Sequence, residues 1–178
     1  RETLKDFIGA SRVNEIIFTS CGTESANTAI KGVLTANKTK KHIITTKVEH
    51  ACVLTLYKNL ETQFGYKVDY LDVNSVGSLD LTPLENMVND QTVLVSCMAA
   101  NNETGVIFPY EKLAEIVKNK NPNTKVFVDA IQAAGKIKLD VKNTQVDLMG
   151  ISGHKIHAPK GIGALYIISG TLISPLLI

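Results

Sequence analysis

Val126-Phe127-Val128-Asp129-Ala130-Ile131-Gln132 is a run of branched and aromatic residues that ends in an acid. A run that is apolar on both faces suits a strand buried in parallel sheet better than one wetted on one side. Similar runs stand on either side of it: Val93-Leu94-Val95-Ser96-Cys97 before, and Val146-Asp147-Leu148-Met149-Gly150 after. Farther out lie Glu15–Thr19, His42–Thr46, Lys67–Leu71 and Gly163–Ile168. Helical stretches fall between them. They are Glu2–Ile8, a segment opened by Ser20-Cys21-Gly22-Thr23 and running to Ala36, Ala51–Phe64, Thr82–Val88 and Tyr110–Asn119, with a turn at Gly77-Ser78-Leu79-Asp80. Apolar strands alternating with helices predict an α/β fold: a three-layer α/β/α arrangement whose mostly parallel sheet is covered on both faces.

The 178 residues suffice for one domain with a sizeable core. Nineteen basic and seventeen acidic residues leave a net charge of +2, which makes no electrostatic case for nucleic acid or for an anionic membrane surface. Cys21, Cys52 and Cys97 are widely spaced and form no C-x-x-C. They read as reduced structural thiols of a cytoplasmic protein. The chain opens without Met inside a helix and stops in the apolar Pro175-Leu176-Leu177-Ile178. Both ends therefore read as cut from a longer protein.

Ligands of open α/β sheets bind beyond the carboxyl ends of the strands, and the polar residues of this chain gather there. Strand one leads into Gly22-Thr23-Glu24-Ser25, strand two into Glu49-His50 and strand four into Asn101-Asn102-Glu103. Strand five leads into Asp129 and Gln132, and strand six into Ser152-Gly153-His154-Lys155. Gly22-Thr23 at a helix start suits a phosphate monoester, because free N–H groups and the positive dipole end meet it there; a plain N-cap by Ser20 or Thr23 fits as well. Asp129 needs a cation if buried, and a pyridinium N–H is one; a helix cap is the alternative. Gln132 is placed to donate to a phenolic oxygen, or is merely polar at a helix start. His50 is placed to stack on an aromatic ring and relay protons, or is half-buried and structural. Asn102 is placed to bond a cofactor oxygen or a substrate carboxylate, or serves a turn. Lys155 stands in a loop constrained by glycines and prolines, where an amine can act as nucleophile; a solvated lysine is the alternative. Ser152 and His154 are further phosphate donors. His154-x-x-His157 lacks the carboxylate or cysteine cluster that a metal site needs, and no metal is expected. An acid at a strand end together with a loop lysine is what pyridoxal phosphate chemistry requires: the amine attaches the cofactor, and the acid keeps its ring nitrogen protonated.

Five stretches carry a family likeness: FTSCGTESAN (18–27), HIITTKVEHACV (42–53), VSCMAANNETGVIFP (95–109), VFVDAIQAAGKIKLDV (126–141) and SGHKIHAPKGIGALY (152–166). In this order they resemble the class V, fold-type I pyridoxal phosphate enzymes, and among them the cysteine desulfurases of the NifS/IscS kind. The resemblance implies Lys155 as the Schiff-base lysine, Asp129 as partner of the pyridine nitrogen and His50 as the stacking, proton-handling residue. It places Gln132 and Asn102 at the phenolic oxygen, and Gly22, Thr23, Ser152 and His154 at the phosphate. It implies residues 1–178 as a partial cofactor-binding large domain, L-cysteine as substrate, a sulfur-accepting scaffold protein as partner and a homodimer as assembly. The nucleophilic cysteine and the substrate-clamping arginine of the family fall outside the chain. Cys21 and Ala158 stand where the family usually has glycine.

Overall fold

Each of the apolar runs forms a strand of one seven-stranded sheet: β1 (Ile16–Thr19), β2 (His42–Thr46), β3 (Lys67–Leu71), β4 (Thr92–Met98), β5 (Lys125–Asp129), β6 (Leu148–Ser152) and β7 (Gly163–Ile167). The helices are α1 (Glu2–Ile8), α2 (Gly22–Ala36), α3 (Ala51–Phe64), α4 (Leu84–Met87) and α5 (Tyr110–Lys120). The computed structural model describes residues 1–177, so Ile178 at the end of the apolar tail lies outside the described residues. No described helix is long and apolar enough to cross a membrane.

The strand order is β1-β7-β6-β5-β4-β2-β3. β2 through β6 are mutually parallel. β7 runs antiparallel to both β6 and β1, so β1 points the same way as the parallel strands. The carboxyl ends of β1, β2, β4, β5 and β6 therefore share one edge. From β2 the chain moves one way to β3, and from β4 the other way to β5 and β6. The crevice where these directions part is the place a doubly wound sheet offers a ligand.

Side-chain alternation builds the three layers. Phe127 of β5 packs with Leu94, Leu148 and Leu165 against Ala26, Ile30 and Val33 of α2 and Val53 and Tyr57 of α3. Val126 and Val128 turn to the opposite face, where Val95, Met149 and Ile151 meet Ile8 of α1, Leu84 of α4 and Leu113 and Val117 of α5. The cover stops short at β1, where Ile17 is 40% and Phe18 47% exposed. The apolar helices stack over the central strands, and β1 is one of the sheet's two edges.

Two buried polar clusters hold the helices that carry the cavity. The Ser25 hydroxyl lies 2.8 Å from the Thr19 hydroxyl and donates to the Ala164 carbonyl at 3.1 Å, which fastens the first turn of α2 onto β1 and β7. The Tyr57 hydroxyl lies 2.7 Å from Ser96 Oγ, which in turn lies 2.9 Å from Thr45 Oγ1, and these bonds dock α3 onto β2 and β4. Phe127 is 1% exposed and among the largest side chains buried in the core. Phe127→Ala is expected to cost about 3–5 kcal/mol through lost burial and the void left behind, read as a lower urea midpoint at unchanged slope.

Candidate active site

Asp129 is the last residue of β5 and only 4% exposed. The Ile131 N–H donates to its Oδ1 at 2.9 Å. No lysine or arginine pairs with it among the described residues, and the charge that favours its ionised form is that of His50. Burial raises its pKa above the usual carboxylate value, against the pull of Ile131 and His50. A buried carboxylate without a cation is costly. This one lines a cavity of about 370 Å³, within the size range of small-ligand sites.

All nine residues singled out in the sequence line that cavity: Gly22, Thr23, His50, Asn102, Asp129, Gln132, Ser152, His154 and Lys155. Each comes from the carboxyl edge of the sheet. Gly22 and Thr23 begin α2, whose N-cap is Cys21, extended in its backbone. The capping alternative for Ser20 and Thr23 therefore does not hold; Ser20 instead donates from N and Oγ to the Glu24 carboxylate. The N–H groups of Glu24 and Thr23, together with the Ser20 hydroxyl, lower the Cys21 thiol pKa. Gly22 is a tight fit: a Cβ there would lie 2.0 Å from the end of Ile131, which also lines the cavity.

His50 is the N-cap of α3. Its Nδ1 accepts the Cys52 N–H at 3.2 Å and lies 3.0 Å from the Cys52 sulfur. An Nδ1 that accepts a backbone proton leaves the neutral ring's own proton on Nε2. Ser152 closes β6, and its hydroxyl lies 2.8 Å from His154 Nδ1. Lys155 ends the short 3₁₀ turn Gly153–Lys155 and is exposed at the cavity mouth. His157, two residues on, holds a φ of 65° in the left-handed region, so the lysine loop is locally constrained. Gln132 is half-buried, and its Oε1 accepts from Lys136 at 3.3 Å. Asn102 is exposed and lines the cavity after the end of β4.

An aminotransferase class-V family model matches residues 1–176. The chain belongs to the class-V aminotransferase family. Over 100% of its length it is 54% identical to a protein named cysteine desulfurase from Nostoc sp. (strain PCC 7120 / SAG 25.82 / UTEX 2576), of which it covers 44%. It is 44% identical to cysteine desulfurase NifS of Azotobacter vinelandii, with 99% of the chain and 43% of that protein matched. Among solved structures, a NifS-like protein superposes with a TM-score of 0.94 at 47% identity, over 99% of this chain and 48% of the other. DndA from Streptomyces lividans gives 0.89 at 35% identity, over 99% and 51%. The chain spans less than half the length of the curated relatives it matches. This class-V aminotransferase chain thus has the α/β fold expected from its strand pattern.

Three cysteines and one glutamate have no role in the expected chemistry. Cys21 and Cys52, read as structural, line the cavity; burial raises the Cys52 thiol pKa. Cys97 is wholly buried in the sheet, with its thiol pKa raised by burial. Glu49, adjacent to His50, is 5% exposed, and burial together with the charge of Asp129 pushes its pKa up to about 8. Its place directly before His50 was the available signal, but a glutamate at a strand end ordinarily reads as solvated.

Proposed function

We propose that this chain is the cofactor-binding part of a pyridoxal phosphate-dependent cysteine desulfurase. It would act on L-cysteine, yield alanine, and pass the sulfur as a protein persulfide to a scaffold for iron–sulfur cluster or thio-cofactor assembly. A homodimer is the proposed assembly. The observation that carries the reading is a buried carboxylate without a cation, Asp129, in the same cavity as an accessible lysine, Lys155.

The lining fits the cofactor's chemistry. Asp129 asks for a cationic N–H donor, the glycine at position 22 leaves room that a side chain would take from Ile131, and the N–H groups at the start of α2, which already lower the Cys21 thiol pKa, suit an anion. Pyridoxal phosphate, when bound, supplies an electron sink that makes bonds at the substrate's α- and β-carbons labile. Asp129 would hold the ring nitrogen's proton between Oδ and N. Thr23, Ser152, His154 and the first N–H groups of α2 would bind the phosphate. Gln132 and Asn102 would orient the phenolic oxygen through their amides, Asn102 also reaching the substrate carboxylate. His50 would lie flat on the ring and carry a proton at Nε2, with Nδ1 held by the Cys52 N–H. The Lys155 amine would attach the cofactor and then move protons at the substrate carbon.

The test uses the intact protein with added pyridoxal phosphate, L-cysteine and a thiol reductant. Stoichiometric alanine and sulfide, with a yellow protein, are the expected result. A yellow protein that instead transfers the amino group to a 2-oxo acid would replace desulfuration with transamination. A protein that stays colourless would overturn the cofactor assignment and favour a non-catalytic scaffold.

A further inference from the structure

Glu49 stands in the turn between β2 and α3, directly before His50, and is buried with no lysine or arginine partner among the described residues. Its hydrogen bonds both arrive at Oε1: the Thr46 hydroxyl donates at 2.6 Å and the Met98 N–H at 3.0 Å. Thr46 closes β2. Met98 closes β4, lines the cavity and stands opposite Asp129 in the β4–β5 register. A second stitch runs beside the first, because Asn101 Nδ2 donates to the Val48 carbonyl of the same turn at 3.2 Å. The carboxyl of Glu49 thus joins the turn that presents His50 to the strand tip that flanks Asp129.

We propose that Glu49 is a positioning residue, a buried carboxylic acid that ties the His50 turn to the tip of β4 and so sets where the imidazole stands relative to Asp129. Its consequence for the cofactor rests on the pyridoxal phosphate reading above.

The titratable groups that bear on Glu49 are Asp129 from β5, Cys97 from β4 and Tyr57 from α3, and His50 is the next residue of its own turn. Burial and the charge of Asp129 outweigh the pull of the Thr46 and Met98 bonds. At neutral pH the acid therefore keeps its proton. With both donors at Oε1, that proton sits on Oε2. Of the two acids only Asp129 lines the cavity, and the His50 turn is held by the other, whose pKa is raised.

The test compares Glu49→Gln and Glu49→Ala with wild type in the intact protein. Glutamine keeps a neutral acceptor at the Oε1 position, whereas alanine strands the Thr46 and Met98 donors. Pyridoxal phosphate affinity at pH 7 is expected to stay within about twofold for E49Q and to fall at least about tenfold for E49A. The melting temperature of the cofactor-free protein supplies the second readout. A raised carboxyl pKa means that the folded state holds a proton the unfolded chain has released. Stability is then lost as pH rises from the ordinary 4.5 towards about 8. The gap between E49Q and wild type should widen in favour of E49Q across that window and level off above it. An ionised, purely structural glutamate would show no such widening. Three results would overturn the proposal: E49Q losing affinity as E49A does, E49A keeping it, or a flat gap. Where E49A does not fold, the two E49Q readouts decide. A wild-type protein that binds no pyridoxal phosphate would refute the cofactor reading, while the melting series would still test the acid.

Discussion

Lys155→Ala is expected to reduce cysteine turnover by at least about 10³-fold, the scale on which removal of a covalent-catalysis nucleophile acts. Borohydride reduction in the presence of pyridoxal phosphate should then leave no adduct at position 155. The position allows this to be read cleanly. Lys155 ends a 3₁₀ turn at the mouth of the cavity and is exposed, so its truncation opens no void in either core layer. Exposed substitutions of this kind stay within about 0.5 kcal/mol in stability, so loss of activity should come with an unchanged melting temperature. Lys155→Arg separates charge from nucleophilicity: the guanidinium keeps the positive charge but does not deprotonate to attack a carbonyl. Both variants should be equally inert. Activity retained by either, or an adduct found in K155A, would move the covalent role to another amine; Lys160, in the same loop, and Lys136, which donates to the cavity residue Gln132, are the candidates.

How much of this was legible before the structure depends on the range of the forces involved. The alternation of apolar runs and helices is local, and Val126–Asp129 and Leu148–Ser152 form strands close to where their composition places them. Because parallel strands share a carboxyl edge, nine residues scattered from Gly22 to Lys155 could be assigned to one cavity without knowing the strand order. The order itself was not legible. Nothing in Gly163–Ile167 announces that β7 runs against its neighbours and separates β1 from β6. That pairing is decided by packing with Leu148, Phe127 and α2, far away in sequence. The helix read over Thr82–Val88 is only Leu84–Met87, because Pro83 stands at its N-cap and Val88 has already turned extended. The apolar spacing of Leu84 and Val88 reflects their burial against α5 and the sheet rather than helix length. Glu49 was missed for the same reason: its burial depends on the tip of β4 closing over the turn, a contact forty-nine residues away along the chain.

Asp129→Asn should lower activity by about 10²–10³-fold while leaving the cofactor-free protein as stable as wild type or more so. The two effects have one origin. The carboxylate is buried, and its single hydrogen bond, from the Ile131 N–H, is one that an asparagine oxygen accepts equally well. The turn that follows β5 therefore survives the substitution. Burial raises the Asp129 pKa, so the folded protein holds this proton to higher pH than the unfolded chain does. Its contribution to stability is full below the ordinary value of 3.8 and is lost as pH rises through the folded pKa. Asparagine has nothing to ionise and escapes that loss. The melting temperature of D129N should accordingly gain on wild type as pH climbs from about 4 towards neutrality. Activity moves the other way, because a neutral amide cannot hold a pyridinium proton by charge. The stated loss in rate corresponds to about 2.7–4.1 kcal/mol, the scale of a charge-assisted hydrogen bond to the developing charge in a dry site replaced by a neutral one. A residue kept for structure alone would lose stability on substitution and leave the cofactor's protonation untouched. D129N that is less stable than wild type at neutral pH, yet turns over cysteine normally, would remove Asp129 from the reaction and with it the reason for reading this cavity as a pyridoxal phosphate site.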